Sequence, residues 1–153
     1  MKSISQTTFR AILRELVLCY QAFESYASAH IHRQGLTISQ FDILVTLGNS
    51  QGLTPKELVE STLITKGTLT GVVDRLVIKG LAKRSPSAVD GRSQIVSLTP
   101  KGKKLFKNAF PEHLDYMGKA FAQLNATEIK QISKALCNFR RIFQTLKDIG
   151  EKS

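Results

Sequence analysis

A mainly α fold with one small β-hairpin, an α+β arrangement, follows from three features of this 153-residue chain. Apolar residues recur at helical spacing through most of its length. Threonine- and proline-based start signals and glycine stops divide that pattern into separate helices. A single stretch after Gly80 drops the helical period and carries adjacent β-branched residues, Ile95 and Val96. Apolar residues are 42% of the chain, which excludes disorder of the low-hydrophobicity kind. No apolar run is long enough to span a membrane. The start, MKSISQTTFRAILREL, has charges within its apolar stretch, unlike a secretion signal. Two cysteines, Cys19 and Cys137, are too few for a disulfide framework and lack zinc-type spacing. A reducing, cytoplasmic setting with two free thiols is expected.

The elements follow in order. Residues 5–32 form a long helix carrying Phe9, Ile12, Leu13, Leu16, Val17, Tyr20 and Phe23, with Gly35 just beyond its end. Thr37 and Gln40 have capping-box spacing and open a second helix bearing Phe41, Leu44, Val45 and Leu47, which Gly48 and Asn49 end. Thr54-Pro55-Lys56-Glu57 combines a cap, a proline in the first turn and an acid three residues after the cap, and starts a short third helix. Thr65 is placed to cap a fourth helix reaching about Lys79, with Leu69, Val72, Val73 and Leu76 on one face and Gly80 as its left-handed stop. Leu81–Ser85 and Gln94–Leu98 then form a hairpin around the turn-rich Pro86–Arg92 loop, which is long enough to project. Thr99-Pro100 restarts a helix in which Pro111 should cause a kink or a break. Asn125 and Glu128 open a last helix with Ile129, Ile132, Leu136, Phe139, Phe143, Leu146 and Ile149 on its apolar stripe.

The formal net charge is +10 and it is unevenly distributed. Residues 56–107 hold 11 Lys and Arg against four acids, a net +7 in a third of the chain. A focused positive field favours a polyanionic partner. The order helix, short helix, helix, strand, projecting loop, strand is that of a winged helix-turn-helix. In that arrangement a short helix braces the next one, which enters a major groove, while the hairpin loop reaches the backbone or the adjacent minor groove. The groove-facing helix would be Thr65–Leu76. Lys66 can donate to guanine or phosphate, and Thr68 and Thr70 suit thymine methyls and phosphates, with Arg75 to one side. Gly67 and Gly71 let the backbone approach a duplex closely, although each costs about 1 kcal/mol of helix stability against alanine.

Two stretches, TKGTLTGVVDRLVIKGLAKR and VDGRSQIVSLTPKGKKL, together resemble the MarR family of bacterial transcriptional regulators. The D-x-R wing sequence is Asp90-Gly91-Arg92, followed by a strand and the L-T-x-x-G start of a helix at Leu98–Gly102. The resemblance implies a winged helix-turn-helix protein whose N- and C-terminal helices form a dimerisation region. It implies a homodimer that binds double-stranded DNA, usually as a repressor. It places Arg92 at the wing tip, oriented by Asp90 through a charge-assisted hydrogen bond and directed at a minor groove or phosphates. The candidate DNA contacts are Thr65, Lys66, Gly67, Thr68, Thr70, Gly71 and Arg75 on the helix, and Arg84, Asp90, Arg92 and Ser93 along the wing. Gly71 departs from the larger polar or basic residue of many members, which withdraws one side chain from base contact.

One MarR-type domain is therefore expected over residues 1–153, with a winged lobe at 37–99 and dimerisation helices at 5–33 and 100–149. Residues 5–25 would pair with 112–149 across a two-fold axis, placing recognition helices about 34 Å apart on a pseudo-palindromic operator. The resemblance also implies a small aromatic or phenolic effector, for which Tyr26, His30, Phe41 and Met117 are the candidate lining. Some members sense peroxides through a cysteine in the first helix. That position falls closest to Leu13 here, so Cys19 is expected to be a small buried residue, with thiol sensing through it as an alternative reading. His30, His32 and His113 lack metal-site spacing and are expected to be solvated or capping. No phosphate loop, H-E-x-x-H or nucleophile elbow is present, so neither enzymatic activity nor a cofactor or metal is expected. A winged-helix interaction adaptor without DNA affinity is the remaining alternative.

Overall fold

The computed structural model describes residues 6–87 and 93–150. The described elements are α1 (Gln6–Arg33), α2 (Ile38–Gly48), α3 (Pro55–Ser61), α4 (Lys66–Ile78), β1 (Ala82–Pro86), β2 (Gln94–Leu98), α5 (Pro100–Phe121) and α6 (Ala126–Gly150). They fall into two compact units, the first closing at Leu114 and the second opening at Asp115.

The helix starts are built by short-range hydrogen bonds. The Gln40 amide donates to the Thr37 hydroxyl at 3.3 Å, and the Thr37 amide donates to Gln40 Oε1 at 3.1 Å. Thr54 and Glu57 repeat the reciprocal pattern at 3.2 and 2.7 Å. The amide and hydroxyl of Thr54, in that order of effect, hold the Glu57 carboxyl below its usual pKa. In the second unit, Asn125 Oδ1 accepts from the Thr127 and Glu128 amides, and Glu128 Oε2 accepts from the Asn125 amide at 2.8 Å. Thr65 departs from this pattern. It occupies the N-cap of α4, but its side chain accepts no backbone amide. Its hydroxyl lies 3.1 Å from that of Thr68, so the two hydroxyls engage each other instead.

The core of the first unit forms where α2, α3 and α4 meet the hairpin. Ile43, Leu44, Leu58 and Leu76 have no solvent exposure, and Val96 of β2 closes the cluster at 1%. The strands pair antiparallel, with Ala82 opposite Leu98 and Arg84 opposite Val96, so the first strand starts one residue later than the sequence pattern suggests. Leu53, just before α3, exchanges two backbone hydrogen bonds with Val96, at 2.9 and 2.8 Å, and gives the hairpin a third edge. Gly80 takes the left-handed conformation, φ +68°, that ends α4 and turns the chain into β1.

The start of α5 is fixed to that turn. The Thr99 hydroxyl donates to the Gly80 carbonyl at 2.6 Å and accepts from the Gly102 amide at 3.1 Å. A Cβ on Gly102 would lie 2.0 Å from the Leu81 carbonyl oxygen, so only glycine permits this approach. The break considered at Pro111 does not occur: α5 is continuous through it. Proline removes one hydrogen bond. Packing holds the surrounding turn, because Ala109 is fully buried and Phe110 stacks on Phe106 with ring centres 5.4 Å apart. Cys19 also differs from expectation. It is exposed, as is every residue of α1 from Phe9 through Ser25, because this stretch lies beyond the part of α1 that joins the core.

Candidate nucleic-acid interface

Helix α4 is presented by a braced turn. Among the bonds that hold residues 62–65, the Leu63 amide donates to Asp42 Oδ2 on α2 at 3.1 Å, and the Thr62 hydroxyl donates to the Leu58 carbonyl at 2.6 Å. Ile64 plugs into the core at 8% exposure. Leu69, Val72, Val73 and Leu76, all at 4% exposure or less, then fix the rotation of α4 about its axis.

That rotation fixes the outward face. Opposite the buried stripe, helical spacing puts Gly67, Gly71 and Ile78 along the middle, with Thr70, Asp74 and Arg75 beside them. A Cβ at Gly67 or Gly71 would meet nothing within 4 Å, and Ile78 is 84% exposed. Thr65, Lys66, Thr68, Thr70 and Arg75 are all exposed, as a groove contact would require. Lys66 and Thr70 lie to the α3 side, where with Lys56 and Glu60 they border a groove of about 450 Å³. The N-terminal half of the face's middle is thus bare backbone, with Ile78 at the far end and the polar side chains beside it.

On the wing side, the Ser87 amide donates to the Ser93 carbonyl at 2.8 Å and closes the base of the loop. Asp90, Gly91 and Arg92 lie outside the described residues. Arg84 is on β1, and its Nη1 donates to Asp74 Oδ1 of α4 at 2.7 Å. Sequence patterning does not single out Asp74. An acid and a base ten positions apart across a glycine turn carry no local signal of contact.

Of the residues proposed to line an effector site, Tyr26 is half-buried and Phe41 is 7% exposed. His30, expected to be solvated or capping, is instead 9% exposed and lies against His113, with the two Nδ1 atoms 3.3 Å apart. One ring must donate and the other accept for this contact to form. The Phe41 ring meets His113 edge-on, with centres 4.8 Å apart. Burial first, and the nearby His30 second, push the His113 pKa below its usual value. Met117 is a half-buried residue of the second unit. Among the described residues, no three His, Cys, Asp or Glu side chains are placed to hold a metal ion. No described helix is long and apolar enough to cross a membrane.

A braced helix with an open polar face, followed by a hairpin wing, defines the winged helix-turn-helix class of DNA-binding regulators. The sequence profile of the MarR family matches residues 34–93, which cover α2 to the end of the wing loop. An uncharacterised HTH-type transcriptional regulator of Bacillus cereus is 32% identical over 103 residues, covering 67% of this chain and 68% of the relative. The HTH-type transcriptional regulator MhqR of Bacillus subtilis is 27% identical over 117 residues, covering 76% of this chain and 81% of MhqR. Among solved structures, BpsR of Bordetella bronchiseptica superimposes with a TM-score of 0.74 at 26% identity, covering 92% of this chain and 97% of BpsR. BpsR is a protein whose DNA binding is regulated by 6-hydroxynicotinic acid. The chain belongs to the MarR family of winged-helix transcriptional regulators. Its relatives are regulators and not enzymes.

Proposed function

We propose that this chain works in the cytoplasm as a homodimeric repressor that binds a pseudo-palindromic DNA operator. Helix α4 enters the major groove, with Lys66, Thr68, Thr70 and Arg75 meeting bases and phosphates and with Thr65 at its entry. The wing, through Arg84, Asp90, Arg92 and Ser93, follows the neighbouring backbone or minor groove. The observation that carries this reading is the outward face of α4. Thr65, Lys66, Thr68, Thr70 and Arg75 are exposed on it, and Gly67 and Gly71 offer no steric barrier to a duplex.

The dimer is supported by unburied apolar surface. On α1, Phe9, Ile12, Leu16, Tyr20 and Phe23 follow helical spacing and are 36–59% exposed. On α6, Ile129, Ile132, Leu136, Phe143 and Leu146 are 43–60% exposed. Isolated exposed apolar residues are ordinary, but stripes of this length mark interaction surfaces. A second copy is the occupant that the family suggests, and the two-fold axis then sets the spacing of the α4 helices. In this reading residues 5–33 and 100–149 supply the dimerisation helices and residues 37–99 the winged lobe. Cys19 lies at the edge of the α1 stripe, where a second copy would shield it, which disfavours thiol sensing. A small aromatic or phenolic acid acting near His30, Phe41 and His113 is the proposed releasing ligand, in keeping with the regulation of BpsR.

The test is duplex affinity as a function of salt. A dimer meeting about six or more phosphates loses about a thousandfold in affinity between roughly 50 and 200 mM salt. A flat response would refute DNA binding and leave the adaptor reading.

A further inference from the structure

We propose that Asp74 is a positioning residue for DNA discrimination: it holds the Arg84 guanidinium against the outward face of α4, making Arg84 a directed donor instead of a mobile phosphate-seeking charge. This rests on the reading of α4 as the groove-facing helix.

Asp74 is the sole acid in the α4 sequence, KGTLTGVVDRLVI. A carboxylate on a helix that meets a polyphosphate is repelled by it, so its presence on this face calls for a compensating cation. Arg84 supplies that cation at 2.7 Å. The backbone explains how it gets there. Cross-strand partners share a face of the hairpin, and Arg84 is paired with the buried Val96, between the buried pair Ala82–Leu98 and the loop. Arg84 therefore leaves β1 on the face it shares with Ala82, beside α4, whereas its neighbour Lys83 alternates to the other face.

The pair remains open to solvent, with 30% of the Arg84 side chain and 48% of the Asp74 side chain exposed. Such a pair contributes little to stability, so a structural role alone is a weak account of it. Arg84 makes no other hydrogen bond or ion pair with the described residues. A guanidinium has five N–H donors in a fixed plane, and one bond to Asp74 leaves most of them available in a set orientation. With Gly67 and Gly71 withdrawing side chains from the middle of the face, discrimination has to come from its edges, and Arg84 is held at one of them.

The experiment uses the full-length protein and two duplexes: one enriched by the wild-type protein from a random-sequence pool, and a shuffled version of it. Failure of the α4 reading would show in the wild type itself, as equal binding to both duplexes, and would take this proposal with it. Given a wild-type preference, Asp74→Asn is expected to lower the preference about tenfold, as for the loss of one oriented base contact. Its binding to the shuffled duplex should be unchanged or tighter, because a negative charge is gone, and its Tm should be unaltered. Asp74→Glu should retain most of the preference. Arg84→Gln should lower it as Asp74→Asn does, and the double variant should lose no more than either single one. Tighter binding of both duplexes by Asp74→Asn with preference intact would overturn the proposal, leaving Asp74 as a merely repelling charge. Weaker binding of both in step with a lower Tm would also overturn it, leaving the pair as a structural tie.

Discussion

The winged lobe and the long helices bury their apolar residues very differently. In the lobe, α2 to β2 sequester Ile43, Leu44, Leu47, Leu58, Leu76 and Val96 at 2% exposure or less. The leading part of α1 and the whole of α6 have regular apolar stripes, yet none of their described residues falls in the buried class. The difference lies in tertiary partners, since both regions show helical periodicity. The lobe folds several short elements onto one another and satisfies its own hydrophobic demand. A long amphipathic helix must find a surface from another source, and its sequence pattern is a request for a partner as much as a record of folding.

Core truncation should reveal the largest effect. Leu44→Ala is expected to lose about 2–5 kcal/mol, a large part of the roughly 5–15 kcal/mol stability of a typical domain. Urea unfolding followed by circular dichroism measures it, and a loss well under 1 kcal/mol would contradict the burial of Leu44. On α6, Ile132→Glu with Leu136→Glu places two charges on the exposed stripe. The expected outcome is a protein of half the native mass by light scattering that retains the helical content of the lobe. A dimer that survives both changes would assign the stripe to something other than self-association.

Smaller effects sharpen the comparison within the lobe. Gly71→Ala should stabilise the protein by about 0.5–1 kcal/mol, because alanine is the better helix former and its methyl meets no neighbour. The same variant should bind DNA more weakly, since the methyl enters the space proposed for the duplex. Gain of stability with unchanged DNA affinity would show that the backbone does not approach that closely. The smallest effect concerns His113. Its pKa is lowered in the folded protein, so the unfolded chain takes up the proton more readily. This contribution to stability is complete above the ordinary histidine pKa of about 6.5 and declines as pH falls through the folded value. Urea midpoints compared at about pH 7.5 and pH 5 should differ less in His113→Gln than in the wild type.

Much of the fold was legible in the sequence because its signals are local. Thr37 and Gln40, Thr54 and Glu57, and Asn125 and Glu128 each make their bond within three residues. Gly80 needs only its own dihedral. Helix α4 and the hairpin could be placed from such signals. What escaped depends on contacts between distant parts of the chain. Pro111 reads as a breaker until Phe106, Ala109 and Phe110 are packed around it. His30 and His113 meet across 83 positions of sequence. Leu53 joins β2 through backbone atoms, which no side-chain pattern advertises. That Gly67 and Gly71 face outward emerges only once burial fixes the rotation of α4, and the Asp74–Arg84 bond only once β1 is in register.

The joint between the end of α4 and the start of α5 constrains how such a regulator can be adjusted. The Thr99 hydroxyl, the side-chain-free approach at Gly102 and the Lys101 ammonium, which donates to the Lys79 carbonyl at 2.9 Å, rivet the two helices at one corner. Any signal that re-aims α4 must therefore swing the first turn of α5 with it as one lever. The pliancy for that movement has to reside elsewhere in the molecule.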